Sequence, residues 1–170
     1  TNNAESLPCI QMEPRIQLIE CPRDAMQGWK TFIPTSSKIR YINLLLKAGF
    51  HTLDFGSFVS PKLIPQMADT ALVLDALEPS PTRLLAIVAN LRGAEEAVFF
   101  EKINYIGFPF SVSETFQVRN TNSTREQALV TVDKLSGLCQ KHGKELVVYM
   151  SMGFGNPYGE PHSTDHLAAW

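Results

Sequence analysis

The chain of 170 residues lacks the features that mark several classes of protein. Its three cysteines, Cys9, Cys21 and Cys139, are too few and too scattered for a disulfide framework or a four-thiolate zinc site. Lys and Arg form no block and the net charge is -2, which argues against a nucleic-acid partner. No apolar run approaches the roughly 20 residues that cross a bilayer, and the N-terminal residues lack the basic and apolar regions of a signal peptide. We therefore predict a cytoplasmic protein without a nucleic-acid or membrane partner.

The sequence does contain an alternation of short β-branched runs with amphipathic stretches of helical period, and 44% of its residues are hydrophobic. Such an alternation predicts βα units, a parallel sheet and therefore the α/β fold class. The predicted strands are 16–20, 51–55, 84–89, 103–108 and 145–150, and the predicted helices are 36–48, 61–77, 92–101, 124–142 and 164–170. A long polar loop is predicted over 111–123, and Thr164 is predicted to cap the last helix.

Five βα units are compatible with a flavodoxin-like sheet but are too few for a closed (β/α)8 TIM barrel, which takes about 250 residues. Because the chain stops within the apolar helix 164–170, we infer the first five units of a longer barrel. Residues 1–15 are then an N-terminal extension, and 16–170 are the N-terminal part of a single catalytic domain. A half barrel leaves an open sheet edge and an exposed apolar face, so we expect the isolated segment to be inactive and prone to aggregation.

An adjacent guanidinium and carboxylate, Arg23 and Asp24, follow the first predicted strand. Pro22 cannot donate to the strand ladder, so the pair is predicted on a loop at the carboxyl end of a buried strand, where parallel α/β folds hold their chemistry. The carboxylate is a hard oxygen ligand for a divalent ion, and the guanidinium offers a fork of donors to a developing oxyanion. The alternative is a surface ion pair at a strand end.

Other polar side chains follow the later strands. Asp54, at the end of the second strand, is a candidate acid or base, or a group that orients a metal ligand; its alternative is a turn or a helix cap. Asn90, after the third strand, can hold a substrate carbonyl or cap the following helix. The loops after the fourth and fifth strands carry Ser113 and Ser151, and Cys21 is the cysteine nearest to this chemistry.

Several groups of residues occur together in one order: 21–27 (CPRDAMQ), 57–62 (SFVSPK) with 65–69 (PQMAD), 89–93 (ANLRG) and 155–158 (GNPY). In this order they resemble the 3-hydroxy-3-methylglutaryl-CoA lyases, from about residue 16 to the last residue. The block 57–62 is the most specific part of the resemblance. The Arg-Asp pair is shared more widely, with metal-dependent aldolases and acyl-CoA condensing enzymes.

The resemblance implies a TIM barrel that binds Mg²⁺ or Mn²⁺ and cleaves an acyl-CoA substrate, 3-hydroxy-3-methylglutaryl-CoA, to acetyl-CoA and acetoacetate. It implies that Asp24 is a metal ligand, that Arg23 stabilises the enolate of departing acetyl-CoA, and that Asp54 is a catalytic carboxylate. It further implies supporting polar contacts to the substrate from Gln27, Asn90, Ser113 and Ser151. A homodimer is the candidate assembly.

Two positions depart from the family pattern. Asp54 stands where family members usually place a glutamate, which shortens the reach of the carboxylate by one methylene. Ile19 aligns with a second family glutamate, and Glu20 beside it points to the other face of the strand. The family's His-x-His metal pair, a further metal-binding Asn and a loop Cys that donates a proton lie beyond Trp170. The open alternatives are another 3-hydroxyacyl thioester as substrate, an aldolase or condensing enzyme, and a catalytically inactive homologue that serves as a binding or structural module.

Overall fold

The computed structural model describes residues 16–170, so the predicted N-terminal extension lies outside the described residues. Within these residues the chain forms one sheet of five parallel strands in the order β1-β2-β3-β4-β5. Every strand pairs with the next one in the chain. Because each pair is parallel, each connection between two strands is a crossover. The parallel α/β prediction is confirmed. The strands are β1 (Ile19–Glu20), β2 (Thr52–Phe58), β3 (Arg83–Val88), β4 (Ile103–Ser111) and β5 (Glu145–Ser151).

Helices pack against one face of this sheet and form the main core with it. The opposite face carries a smaller apolar cluster of Leu85, Ile87 and Tyr105. Helices outside and a second cluster inside are the arrangement of half a (β/α)8 barrel. No helix of residues 16–170 has both the length and the apolar character to cross a membrane. The helices are α1 (Pro22–Gln27), α2 (Thr35–Lys47), α3 (Thr70–Asp75), α4 (Leu91–Ala97), α5 (Glu114–Thr121), α6 (Arg125–Lys141) and α7 (Thr164–Ala168), with a 3₁₀ turn (Pro65–Met67) before α3.

Helix α6 shows how the sequence sets the limits of an element. Thr124 Oγ1 accepts a hydrogen bond from the backbone N–H of Gln127 (3.2 Å), and Gln127 Oε1 accepts one from the backbone N–H of Thr124 (2.9 Å). Gly143, just beyond the helix, has φ of 65°, a conformation that glycine adopts without strain. Leu135 and Cys139 are buried in the main core.

The first strand differs from its prediction as a buried strand over 16–20. Only two of its residues pair with β2, and the residues Leu18 and Ile19 are 64% and 52% exposed. The cause is topological, because β1 lies at the edge of the sheet and has a partner on one side only.

The predicted positions of three site residues relative to these elements are also wrong. Pro22 begins helix α1, because a proline fits the first helical turn, where its missing N–H costs no hydrogen bond. Arg23 and Asp24 therefore lie on a helix and not on a loop. β2 continues to Phe58, so Asp54 lies inside a strand and not at its end.

The polar loop predicted over 111–123 is wrong, because this segment contains α5. Ser113 begins the helix, and its Oγ accepts a hydrogen bond from the backbone N–H of Phe116 (3.1 Å). Asn122 ends it in the left-handed conformation, with φ of 53°. Capping residues are polar, so a short capped helix resembles a loop in sequence.

Two helix boundaries also need correction. The predicted helix 61–77 is divided into the 3₁₀ turn and α3. Pro65 favours such a division, because it cannot donate a hydrogen bond to a preceding helical turn. Ser163, rather than Thr164, caps α7, since its Oγ accepts a hydrogen bond from the N–H of His166 (3.0 Å).

The carboxyl end of β2 and the start of α4 are in direct backbone contact. A Cβ on Gly93 would lie 2.2 Å from the carbonyl oxygen of Phe58, so α4 approaches β2 this closely only because residue 93 is glycine. Asn90 holds the same helix end, with its Oδ1 accepting a hydrogen bond from the N–H of Gly93 (3.0 Å). The 89–93 motif thus fixes the distance between two loops at the carboxyl edge of the sheet.

Candidate active site

Arg23 and Asp54 form a buried ion pair that joins α1 to β2. Arg23 Nε donates to both carboxylate oxygens (3.1 and 3.2 Å), and Nη2 donates to Asp54 Oδ2 (2.6 Å). The Asp54 side chain is completely buried, and the Arg23 side chain is 12% exposed. Two nitrogens of one guanidinium on one carboxylate fix the orientation of both groups.

Burial and mutual charge act in opposite directions on this pair. Burial raises the pKa of Asp54 above its ordinary value, while the hydrogen bonds and positive charge of Arg23 oppose that rise. Burial also disfavours the charge on Arg23, but the hydrogen bonds and negative charge of Asp54 outweigh it, so the pKa of Arg23 is raised. The Arg23 guanidinium is therefore charged at neutral pH, and it faces the buried Asp54 carboxyl group.

Helix α1 places Asp24 and Gln27 beside the same guanidinium. Arg23 Nη1 donates to Gln27 Oε1 (2.9 Å), one helical turn along, and to Asp24 Oδ1 (3.3 Å). The Asp24 side chain is 70% exposed, in contrast to that of Asp54. α1 thus keeps one carboxylate accessible from solvent while it holds the guanidinium in place.

A cleft of about 590 Å³ opens beside the ion pair. Its lining includes the predicted site residues Arg23, Asp24, Gln27, Asp54 and Ser151. Most of the predicted site therefore lies in one place, on the side of the sheet that faces away from the helices. The rest of the cleft is partly apolar, with walls from Leu63, Ile64, Ile87, Pro109 and Phe116.

Tyr149 lines the same cleft, and the sequence analysis did not identify it. Burial, together with the negative charge of Asp54, raises the pKa of Tyr149 to about 12. Its hydroxyl is therefore protonated at neutral pH and can donate a hydrogen bond. A signal was present in the sequence, because alternate residues of a strand face one side and Tyr149 stands two positions before Ser151 on β5.

Two predicted substrate contacts lie elsewhere. Asn90 caps α4 and lines a separate cleft of about 260 Å³ with Ser57 and Arg92. Ser113 is 2% exposed, caps α5 and does not line the cleft of the ion pair. Their helix-capping bonds are observed, and their contacts with a substrate stay predictions.

Cys21 also lines the larger cleft. Burial, and after it the negative charge of Asp54, raises the pKa of the Cys21 thiol; Arg23 opposes this shift without reversing it. Because a nucleophilic cysteine reacts as its thiolate, this environment does not activate Cys21.

The cleft offers one side chain that suits a divalent metal ion as a ligand. Asp24 offers a hard, exposed carboxylate to the cleft, of the kind that Mg²⁺ and Mn²⁺ prefer. Among residues 16–170, no three His, Cys, Asp or Glu side chains are grouped so that they could hold an ion together. The divalent ion and the ligand role of Asp24 therefore stay predictions, and further ligands would come from outside the described residues, from the substrate or from water.

The chain was compared with known proteins, and no protein-family model matches it. Its sequence is 32% identical over 148 residues to the mitochondrial hydroxymethylglutaryl-CoA lyase of Rattus norvegicus. It is 33% identical over 145 residues to the cytoplasmic 3-hydroxy-3-methylglutaryl-CoA lyase of Danio rerio. These matches cover 85% and 84% of this chain but 45% and 43% of the relatives. The chain thus spans about half the length of the curated relatives it matches, and its cytoplasmic location stays a prediction.

Solved structures agree with the sequence relatives. The hydroxymethylglutaryl-CoA lyase of Pseudomonas aeruginosa matches with a TM-score of 0.83 and 31% identity, over 91% of this chain and 52% of that chain. The lyase of Acinetobacter baumannii, in complex with coenzyme A and 3-methylmalate, matches with a TM-score of 0.83 and 27% identity, over 93% of this chain and 53% of that chain. The predicted half barrel and the predicted resemblance are confirmed: the chain is a homologue of the hydroxymethylglutaryl-CoA lyases over about half of their length.

Proposed function

We propose that the full-length chain is a lyase that cleaves 3-hydroxy-3-methylglutaryl-CoA to acetyl-CoA and acetoacetate. The observation that carries this proposal is the ion pair of Arg23 and Asp54, which shares one cleft with Asp24 and Tyr149. A permanent cation and a neutral hydroxyl donor thus line the same space. The homologous lyases support a CoA thioester as the substrate.

In this reaction the bond between carbons 2 and 3 of the acyl group breaks. The 3-hydroxyl loses its proton, and its oxygen becomes the ketone oxygen of acetoacetate. The electron pair of the broken bond moves to the thioester carbonyl and forms the enolate of acetyl-CoA, whose carbon 2 then takes up a proton. Negative charge therefore develops on the thioester oxygen, and a donor aimed at that oxygen favours the transition state over the ground state.

Arg23 is suited to this oxygen because four of its N–H groups are held by other residues, which fixes the direction of the fifth. Of the five N–H groups of an arginine, one on Nε and one on Nη2 bind Asp54, and the two on Nη1 bind Gln27 and Asp24. One N–H of Nη2 is left for the enolate oxygen. Removing a preorganised donor of this kind lowers kcat by roughly 10²- to 10³-fold in other enzymes.

Asp54 and Tyr149 support this cation in different ways. The Asp54 carboxylate is fully buried and both of its oxygens accept hydrogen bonds from Arg23, so we assign it to orienting the guanidinium. Tyr149, with a pKa of about 12, donates a hydrogen bond to a substrate oxygen and keeps its proton. Proton removal from the 3-hydroxyl is thus assigned to neither residue.

We include in the proposal a divalent ion, Mg²⁺ or Mn²⁺, with Asp24 as one ligand. Such an ion, when bound, lowers the pKa of a coordinated hydroxyl group. The exposure of the Asp24 carboxylate at the cleft supports the assignment. Ser151, which lines the same cleft, is proposed as a polar contact to the substrate.

Acetoacetate release from 3-hydroxy-3-methylglutaryl-CoA by the full-length chain, with Mg²⁺ or Mn²⁺ present, tests the proposal. In Arg23→Lys the positive charge remains but the fork of donors is lost. We expect kcat to fall by about 10²-fold or more with little change in KM, because the enolate charge exists only once the carbon-carbon bond is breaking. Arg40→Lys, at an exposed position of α2, is the matched control and should keep the wild-type kcat.

Two other outcomes would replace this function. Turnover of a 2-oxo acid without acetoacetate release would favour a metal-dependent aldolase or condensing enzyme. Absence of both activities, together with no Mn²⁺ binding and no effect of Asp24→Asn, would support a catalytically inactive homologue that serves as a binding or structural module.

A further inference from the structure

We infer that Gln66 is a positioning residue, which holds helix α1 so that Arg23 and Asp24 face the cleft. This inference rests on the proposed function for its kinetic part only. Gln66 belongs to the 65–69 motif, which the proposed reaction does not otherwise use. It is 4% exposed and does not line the cleft of the ion pair.

The Gln66 side chain binds three backbone groups of the segment that joins α1 to α2. Its Nε2 donates to the carbonyl oxygens of Trp29 (3.1 Å) and Thr31 (3.0 Å). Its Oε1 accepts a hydrogen bond from the N–H of Ile33 (2.8 Å). One buried amide therefore fixes the path of the chain directly after α1, where the backbone has no helical partner of its own.

A buried charge pair holds Gln66 itself. Lys38 Nζ donates to the backbone carbonyl of Gln66 and to Asp69 Oδ1, the latter at 2.6 Å. Asp69 Oδ2 accepts a hydrogen bond from Thr35 Oγ1 (2.7 Å), and the Lys38 ammonium lies 4.2 Å from the ring centroid of Phe32. Because Lys38 and Asp69 are only 2% and 8% exposed, this pair ties the start of α2 firmly to the motif. The backbone of Gln66 is thus held in place by buried polar contacts.

Helix α1 needs this support because it cannot hold itself in place. It has six residues, whereas isolated helices shorter than about 12–15 residues are marginal in water. Its N-cap residue, Cys21, makes no side-chain capping bond. Buried Met26 and the ion pair of Arg23 fix one side of the helix, and the segment bound by Gln66 fixes its carboxyl end. Release of that end would shift both catalytic side chains together.

Amide hydrogen exchange and steady-state kinetics of the full-length chain test this role. In Gln66→Glu, the carboxylate can still accept from the N–H of Ile33 but has no donor for the two carbonyls. We expect faster exchange of the amides in 22–34 with unchanged exchange elsewhere. We also expect kcat to fall by roughly 10- to 100-fold at nearly constant KM, the usual effect of losing a group that orients a catalytic side chain. Gln66→Met, of similar length and without polar atoms, should give the same pattern and serves if the Glu variant does not fold.

Lys102→Met is the matched control. Lys102 Nζ donates to the carbonyls of Leu74 (3.0 Å), Asp75 (2.9 Å) and Leu77 (3.1 Å), so this variant also loses three bonds to the backbone, but next to the amino end of β4. We expect it to keep the wild-type kcat and the wild-type exchange in 22–34. Unchanged exchange there in both Gln66 variants, or an equal loss of kcat in Lys102→Met, would overturn the inference. A wild-type chain without lyase activity would defeat the proposed function, and the exchange result would still decide the role of Gln66.

Discussion

Removing one partner from the pair of Arg23 and Asp54 should destabilise the protein more than removing both. Asp54→Leu leaves a guanidinium that is 12% exposed, with Gln27 and the exposed Asp24 as its remaining partners. Arg23→Met leaves a carboxylate that is completely buried. Each single variant thus creates an uncompensated buried charge, whereas the double variant replaces the pair by apolar side chains of similar size.

The expected magnitudes follow from burial and protonation. Breaking a buried pair from one side costs about 3–5 kcal/mol, and the double variant should lie within about 1–2 kcal/mol of the wild type. In Arg23→Met the carboxylate can escape its cost by taking up a proton. Protonation at pH 7 of a carboxyl group with an ordinary pKa of about 4 costs about 4 kcal/mol, at 1.36 kcal/mol per pH unit. The buried charge of Arg23→Met can therefore lower the free energy of unfolding by no more than about this amount. Because the folded state then binds the proton more tightly than the unfolded state, the loss should shrink as the pH falls toward 4.

Urea unfolding of the four proteins of this double-mutant cycle, at pH 7 and pH 5, measures these quantities. The exposed pair of Lys47 and Glu78, whose side chains are 64% and 54% exposed, is the control and should show a coupling energy below about 1 kcal/mol. A coupling energy below about 0.5 kcal/mol for Arg23 and Asp54 would refute the reasoning. So would an Arg23→Met loss that does not depend on pH.

Further predictions concern the hydroxyl in the cleft and two glycines. Tyr149 should ionise with a pKa of about 12, so the transition at that pH in an absorbance titration near 295 nm should be missing in Tyr149→Phe. Because this pKa is higher in the folded than in the unfolded state, the contribution of Tyr149 to the free energy of unfolding should be present below pH 10 and decline as the pH rises from 10 toward 12. Gly93→Ala should lower the free energy of unfolding by about 1–3 kcal/mol or more, since the new Cβ would lie 2.2 Å from the Phe58 carbonyl oxygen. Gly137→Ala, on α6 with nothing within 4 Å of the new Cβ, should raise the free energy of unfolding by about 0.5–1 kcal/mol in the same urea assay. A change of the same sign in both glycine variants would contradict this account.

The order of strands and helices could be predicted because local signals set most of it. β3 is a continuous apolar run that is buried on both faces, and the capping box of Thr124 and Gln127 marks the start of α6. The extent of β1 could not be predicted in this way. Its exposure depends on which strands lie beside it, and no local pattern in 16–20 contains that information.

The site was predicted in part for a similar reason. The sequence associates Arg23 with its neighbour Asp24, but the structure gives Arg23 its shorter and more buried bonds to Asp54, 31 positions away. That contact depends on the pairing of β1 with β2 and on the first turn of α1, both of which are tertiary features. The position of Tyr149 at the cleft is likewise a tertiary feature, because it depends on the pairing of β4 with β5.

The strictly sequential order of the sheet has a consequence for how the protein folds during synthesis. No strand pair in 16–170 has to wait for a distant segment, because each strand adds to the one made just before it. The sheet can therefore grow in the direction in which the chain leaves the ribosome, with moderate loop closures at every step. The last strand formed is at each moment the unpaired edge, and a nascent chain that stalls between two strands exposes that edge to other chains.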